Sequence, residues 1–522
     1  MTGDSGVVLA RRPRLTGAIA ALVAGALAAT GFAPLGLWPV TLAAFAILLY
    51  LSLTATGRGD AFLRGWSFGV GHFTIGLNWI AHAFTFQDAM PHWFGYGAVI
   101  LLSLYLALYP GLTALVAWRF GRNLPPGGFI ALFAGCWIIS EYARATLFTG
   151  FAWNPLGVVW IPTGAAIGAR LVGTYGLGGL TILAAGALLL AVRRQWRPAS
   201  IAVLPMMLCL GWGLTVRLTT LAPASGPAVR VVQPNIGQQD KYDPAAEEAN
   251  FRKLAQLSGE ADAHPRLLFW PEAAIPAYLD MEPAWRTRLA MLLGPNDLLL
   301  TGGDKVYFKE QTDPLAQYRT LSGANNSLWV VAPDARLIGR YDKAHLVPYG
   351  EYLPMRPILS AIGLSRLVPG DVDFWPGPGP RTLSLPAAGG RPALRMGVQI
   401  CYEIIFSGQV VDEADRPDFL FNPSNDAWFG SWGPPQHLAQ ARLRAVEEGI
   451  PVIRSTPTGI SAVVDANGTL LHSLPHQRAG FIAAVLPPRA APTPFSRTGN
   501  WAPMALALLF VGFAIATRKA RG

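Results

Sequence analysis

Lysine is nearly missing from this chain, with six in 522 residues against 35 arginines, and all charged residues together make up only 14%. With 52% hydrophobic residues and 17 tryptophans, so little charge excludes a wholly water-soluble polypeptide of this length. Cysteine occurs three times, too rarely for a disulfide-stapled scaffold. No zinc-ligand spacing, P-loop or Gly-x-Gly-x-x-Gly opening a helix is present, so metal and nucleotide chemistry lose most of their support and no cofactor is expected. Tandem repeats are missing too.

What charge there is falls unevenly. From Pro223 to Thr498 there are 25 Lys+Arg against 27 Asp+Glu, and the remainder has 16 against 4. The net charge of +10 therefore belongs to the loops between apolar segments, which disfavours nucleic acid as a partner. About 20 apolar residues span a bilayer as a helix. Eight such runs are read: Leu15 to Phe32, Trp38 to Leu53, Gly65 to Ala83, Trp93 to Trp118, Phe129 to Leu147, Ala169 to Val192, Ser200 to Leu218, and Trp501 to Thr517. Their basic flanks (Arg11, Arg12 and Arg14; Arg58 and Arg64; Arg119 and Arg122; Arg193, Arg194 and Arg197; Arg518, Lys519 and Arg521) fall on one side, and loops 33–37, 84–92 and 148–168 carry no Lys or Arg. Positive-inside reasoning places both termini in the cytoplasm and residues 221–499 outside it. The basic start and apolar core before residue 32 also resemble a signal peptide; cleavage would spoil the charge alternation, so retention is expected.

Glu141 and Arg144 are three apart in the fifth span, a spacing that allows pairing on one helix face, and a structural pair is expected. Cys136 and Cys209 fall in spans and read as core residues. The stretches Gly65 to Trp79 and Phe151 to Trp160 read as packing and interface anchors, or as the lining of a lipid entrance.

Between the seventh and eighth spans the pattern alternates strands and helices. Strands are read at 229–233, 266–270, 298–301, 395–400, 418–422, 452–455, 460–464 and 481–485, a hairpin at 326–332 with 336–341, and helices at 244–259, 283–293 and 435–448. That is an α/β layer domain with a mixed sheet. Cys401 sits at the end of the 395–400 strand, and Glu403-Ile404-Ile405-Phe406 turns to helical spacing. A helix starting there can aim its first amides at an oxyanion and favour the thiolate. A buried core cysteine fits the same pattern.

Two other strand ends repeat this placement. Leu267-Leu268-Phe269-Trp270-Pro271-Glu272 sets a carboxylate just past a buried strand, and Leu337 to Asp342 leads into Lys343. A Glu beside a Cys takes its proton, and a Lys beside both holds an oxyanion. In a chain with six lysines, one at a strand end followed by Ala344-His345-Leu346-Val347-Pro348 stands out.

WPEAAIP at 270–276, YDKAHLVPYGEYLP at 341–354, GVQICYE at 397–403 and SNDAWFG at 424–430 resemble the nitrilase (carbon-nitrogen hydrolase) superfamily. Joined to eight spans, seven before the domain and one after, they resemble its membrane-bound branch, the bacterial apolipoprotein N-acyltransferase family. The resemblance implies an αββα sandwich inserted before the last helix, with domains at 1–220, 221–499 and 500–522. It implies a Glu272, Lys343 and Cys401 triad, with Glu351, Tyr402 and Glu403 as supporting or oxyanion residues and Tyr242 and Trp428 as possible substrate contacts. Tyr242, in QDKY, stands where the family keeps tryptophan. The implied reaction moves an acyl chain from a phospholipid through a thioester to the amine of a diacylglyceryl-cysteine lipoprotein, in the inner membrane, with the domain on the periplasmic side. Membrane lipids are the surroundings and a monomer is expected. A membrane-tethered amidase would use the same triad with water, and a catalytically silent module would use the sandwich as scaffold. Apolar loops at 352–355, 374–375 and 428–432 favour a bilayer surface over a solvated pocket. The run 352–364 reads as a lid on the outer leaflet.

Overall fold

The computed structural model describes residues 5–86, 91–219, 226–241, 243–261, 264–310, 320–361 and 372–519. Helices form at every apolar run of the first 219 residues: Ser5–Ala28, Trp38–Leu53, Arg58–Gly76, Phe94–Leu106 continued by Leu108–Gly121, Pro126–Thr146, Ala169–Val192 and Trp196–Thr219. Trp501–Lys519 closes the chain. The break at Ala107 lies just before Pro110, whose ring crowds the carbonyl one turn back.

Among the described residues, five helical stretches are long and apolar enough to cross a membrane: Arg14–Gly31, Phe94–Gly121, Ala165–Val192, Trp196–Thr219 and Trp501–Arg518. This is fewer than the eight expected, for physical reasons. Trp38–Leu53 is apolar but only 16 residues long. Arg58–Gly76 carries a buried Arg64–Asp60 pair at 2.9 Å, and ends at Gly76 rather than running to Ala83. Pro126–Thr146 carries Glu141 and Arg144.

Those last two residues do not form the expected ion pair. Glu141 Oε1 accepts the Leu156 amide at 2.7 Å, and Arg144 Nη1 donates to the carbonyls of Phe151 and Trp153 at 3.0 and 2.9 Å. Both hold the segment after their helix, because buried backbone groups there need partners.

Twelve strands follow: β1 Ala228–Gln233, β2 Arg266–Phe269, β3 Leu298–Phe308, β4 Leu321–Val331, β5 Leu337–Asp342, β6 Thr382–Leu385, β7 Leu394–Val398, β8 Phe419–Pro423, β9 Val452–Ser455, β10 Ala462–Val464, β11 Leu470–Ser473 and β12 Gly480–Val485. They make two six-stranded mixed sheets, ordered β12-β1-β2-β3-β4-β5 and β11-β10-β9-β8-β7-β6. Strand alternation explains the layers. Val229, Val231, Leu267 and Phe269 point between the sheets toward Met396, Val398, Phe419 and Phe421. The alternate residues Val232, Leu268 and Trp270 point outward, under Leu254 of the Glu247–Ser258 helix and Leu289 of the Pro283–Ala290 helix. Strands covered on both faces read as continuous apolar runs for this reason.

The Gly433–Glu448 helix covers the second sheet and is itself covered. Its Ala441 and Ala445 face the sandwich, and its Ala439, Leu443 and Val446 face the apolar helices. Polar contacts around Glu447 help to fix this seam. The Ala169–Val192 helix breaks at Gly173 (φ 66°, ψ 179°), where a Cβ would strike the Phe495 ring at 2.2 Å. The break frees the Thr174 amide to donate to Glu447 at 2.5 Å, while Thr174 Oγ1 and Ser407 Oγ donate to the same oxygen. Arg444 pairs with the other Glu447 oxygen at 3.0 Å.

Candidate active site

Three strand ends converge where the loops of the two sheets meet. Glu272 follows β2 and Lys343 follows β5, both in the first sheet; Cys401 follows β7 in the second. The Glu272 loop presses on β3, with the Gly302 amide donating to the Pro271 carbonyl at 3.2 Å. A Cβ at Gly302 would lie 2.4 Å from the Ala273 nitrogen, so glycine is required there.

Lys343 is 1% exposed and lies 2.9 Å from Glu351 and 3.7 Å from Glu272. Burial works against its charge, but the Glu351 and Glu272 carboxylates outweigh it and raise the ammonium above its ordinary range. Asn326, on β4, joins the two acids: its Nδ2 donates to Glu272 Oε1 at 2.7 Å and to Glu351 Oε1 at 3.0 Å. The Val347 amide holds the other Glu351 oxygen at 2.8 Å. Among the described residues, Glu272 Oε2 is buried without a hydrogen-bond partner.

Cys401 is buried and adopts φ +52°, the left-handed region that costs an L-residue of order 1–3 kcal/mol. Burial, then the Glu272 charge, pushes its thiol well above the usual range, with Lys343 and the Asn425 amide opposing. The expected helix after the cysteine is a single 3₁₀ turn, Cys401–Ile405. Its five residues build little dipole to oppose the effect of burial on the thiol.

Glu403 ties this turn to the lysine. Its Oε1 accepts from Tyr341 Oη at 2.9 Å and from the amides of Ala344 and His345 at 2.7 and 3.1 Å; its Oε2 accepts from the Ile400 amide at 2.6 Å. Burial pushes the Glu403 carboxyl up to about 7 against Lys343 and these amides. Tyr402 turns the other way, its hydroxyl reaching the Gly150 carbonyl at 3.4 Å. Trp428 stands at the margin, edge-on to Phe86 at 5.4 Å. Tyr242 lies outside the described residues, as do residues 362–364 of the expected lid. Of that run, Met355 and Ile358 are 64% and 63% exposed; beyond it, Phe374 and Trp375 donate their amides to the carbonyls of Glu351 and Ala324.

The structure thus assembles Glu272, Lys343, Glu351, Cys401 and Glu403, and adds residues that sequence reasoning left unassigned. Asn326 is one; its signal was a polar pair, Asn325-Asn326, inside an apolar hairpin. Lys241 is another, with Nζ 3.3 Å from the Glu272 carbonyl.

Residues 228–494 match the family described as Carbon-nitrogen hydrolase, and residues 24–188 match the Apolipoprotein N-acyltransferase N-terminal domain. The chain is 34% identical to the apolipoprotein N-acyltransferase of Rhodopseudomonas palustris over 96% of this chain and 95% of that one. This chain belongs to the apolipoprotein N-acyltransferase family. A second family member, from Caulobacter vibrioides, is 36% identical over 95% of this chain and 93% of its own. Among solved structures, Saccharomyces cerevisiae Nit3, of the nitrilase superfamily, aligns with 50% of this chain and 90% of its own at 20% identity and a TM-score of 0.33.

Proposed function

We propose that the chain is a membrane-bound acyltransferase performing the reaction its relatives are named for, with Cys401 as acyl carrier. The observation that carries this is a buried thiol whose electrostatic neighbours are Glu272, with one unpartnered oxygen, and a Lys343 kept charged. In the first half-reaction the sulfur attacks the sn-1 ester carbonyl of a phospholipid while its proton passes to Glu272. The ester C–O bond breaks, Glu272 returns the proton to the departing glycerol oxygen, and a lysophospholipid leaves behind a thioester. In the second, the α-amine of a diacylglyceryl-cysteine polypeptide attacks the thioester and Glu272 takes the amine proton. The thiolate leaves, regains that proton, and an amide remains. Each attack passes through an oxyanion that the Lys343 ammonium stabilises. A thioester is reactive enough to acylate an amine and lasts until the second substrate arrives.

The setting follows from the same reading. All eight apolar runs cross the inner membrane, seven in residues 1–220 and one in 500–522, with both termini cytoplasmic, residues 221–499 periplasmic and a monomer as the working unit. Two features support it: the alternation of basic and uncharged loops, and a sandwich resting on the apolar helices through the Gly433–Glu448 helix. The exposed Met355 and Ile358 suit contact with lipid.

Intact mass of the purified protein after incubation with phosphatidylethanolamine tests the reading. The expected result is an acyl-sized increase on Cys401, removed by hydroxylamine and by a diacylglyceryl peptide. An adduct on Cys136 or Cys209, or clearance by water as fast as by peptide, overturns it.

A further inference from the structure

Beneath Cys401 lies a charged network whose side chains are all fully buried. His437 Nε2 is 3.0 Å from the Cys401 carbonyl oxygen, and Asn422 Nδ2 donates toward the same oxygen at 3.4 Å. His437 Nδ1 faces Asp426 Oδ1 at 2.9 Å and an Arg454 nitrogen at 3.0 Å. Arg454 donates to both Asp426 oxygens, to Asn422 Oδ1 and to Ser424 Oγ. One guanidinium therefore holds both groups that face the cysteine carbonyl. His437, Asp426, Arg454 and Asn422 are each 0% exposed.

A carbonyl oxygen offers only lone pairs, so the 3.0 Å contact requires a proton on Nε2. That requirement holds whether Nδ1 accepts from Arg454 or donates to Asp426. The rings of Trp153 and Phe429 close on His437 at 5.3 and 5.7 Å, and Trp153 Nε1 donates to the adjacent Gln436 at 2.8 Å. The imidazole has no room to swing away.

We propose that His437 is a positioning residue: by donating to the Cys401 carbonyl it fixes the peptide plane after the nucleophile and holds Cys401 in its left-handed conformation, with Sγ toward Glu272 and Lys343. The proposal rests on the reading of Cys401 as acyl carrier. Physical economy supports it, since buried ion networks are often no more stabilising than apolar packing of equal volume, whereas their directional bonds fix geometry. A strained φ persists only where surrounding structure over-determines it, and two anchored donors on one carbonyl do so.

The test uses full-length protein in phosphatidylethanolamine liposomes, with acyl loading of Cys401 followed by intact mass and folding followed by thermal unfolding. Three variants separate donation from packing. His437→Gln keeps an N–H at the reach of Nε2, His437→Asn carries the same amide one methylene short, and His437→Leu has no donor. All three forgo Asp426 and Arg454, so all should lose similar thermal stability. Loading should fall roughly 10²-fold in the Asn and Leu variants, the usual effect of a reacting group misplaced by about 1 Å, and stay within about tenfold of the parent in the Gln variant. If the Leu variant does not fold, the Gln-to-Asn comparison alone decides. Equal loading by Gln and Asn, fast or slow, overturns the positioning role. If the unsubstituted protein acquires no acyl group on Cys401, the carrier reading falls first and the positioning role with it.

Discussion

Glu403 accepts the amide of Ala344 at 2.7 Å, joining the turn that starts at the cysteine to the turn that starts at the lysine. The two belong to different sheets, so this carboxylate sets the distance between proposed nucleophile and proposed oxyanion holder. Glu403→Gln replaces one acceptor oxygen with a donor that must face an N–H or O–H. Loading of Cys401 should drop about 10²-fold with the protein still folded. Parental loading would show that the two turns are held by packing alone.

The proposed triad members should separate by half-reaction. Glu272→Gln should stop loading, since the thiol then has no base. Lys343→Ala should slow loading and transfer alike, by about 10²- to 10³-fold for one lost oxyanion donor. Lys343→Arg should rescue poorly, because a planar guanidinium does not fit a site where the ammonium is 1% exposed between two carboxylates. Single-turnover acylation followed by peptide addition resolves the two steps; full loading by Glu272→Gln would remove that residue as the base.

Asn326→Asp puts a third carboxylate against Glu272 and Glu351, which share the Asn326 amide. Removing the bridging donor and adding a like charge in a buried site should destabilise by about 3–5 kcal/mol at neutral pH. Acidification should recover part of that as the added acid takes up a proton. Thermal unfolding of parent and variant between pH 5 and 8 measures both; a pH-independent difference would argue against charge repulsion.

Asp304, on β3, is pushed up to about 6 by burial and by the Glu272 and Glu351 charges, with Lys241 opposing. Between about pH 4 and 6 the native protein holds a proton there that the unfolded chain releases. The stability this adds is full at low pH and is lost as pH rises through 6. Asp304→Asn should therefore flatten the stability profile across that window, by at most about 3 kcal/mol. A profile as steep as the parent's would place the proton elsewhere.

The strand ends that carry Glu272, Lys343 and Cys401 were legible because β2 runs into Pro271, β5 ends in the charges of Asp342 and Lys343, and the spacing turns helical after Cys401. The apolar helices were legible from length and loop charge. The failures have local causes. Glu403 turns its carboxylate back to the Ile400 amide, so the residues after Cys401 close as one 3₁₀ turn although their spacing suits a helix. Strand β3 continues to Phe308 because β4 pairs with it past the apolar core, where polar Asp304 and Lys305 gave no strand signal. Glu141 and Arg144 satisfy backbone groups of residues 151–156, which spacing along their own helix cannot reveal. His437 and Asp426 lay inside motifs already noted, SNDAWFG and the helix after it, but a buried histidine next to a carboxylate needs tertiary contact to be told from an ordinary core residue.

Strand β1 pairs with β2 on one side and with β12 on the other, in register from Ala228 opposite Val485 to Gln233 opposite Gly480. The earliest strand of the sandwich therefore waits, with one edge open, until almost the whole of the domain has been synthesised. Closure of the first sheet comes only just before Trp501 begins the last helix. An unpaired edge of this kind invites wrong partners. Folding of this domain thus has a vulnerable interval set by connectivity, during which its open edge must be kept from misassembly until residue 485 arrives.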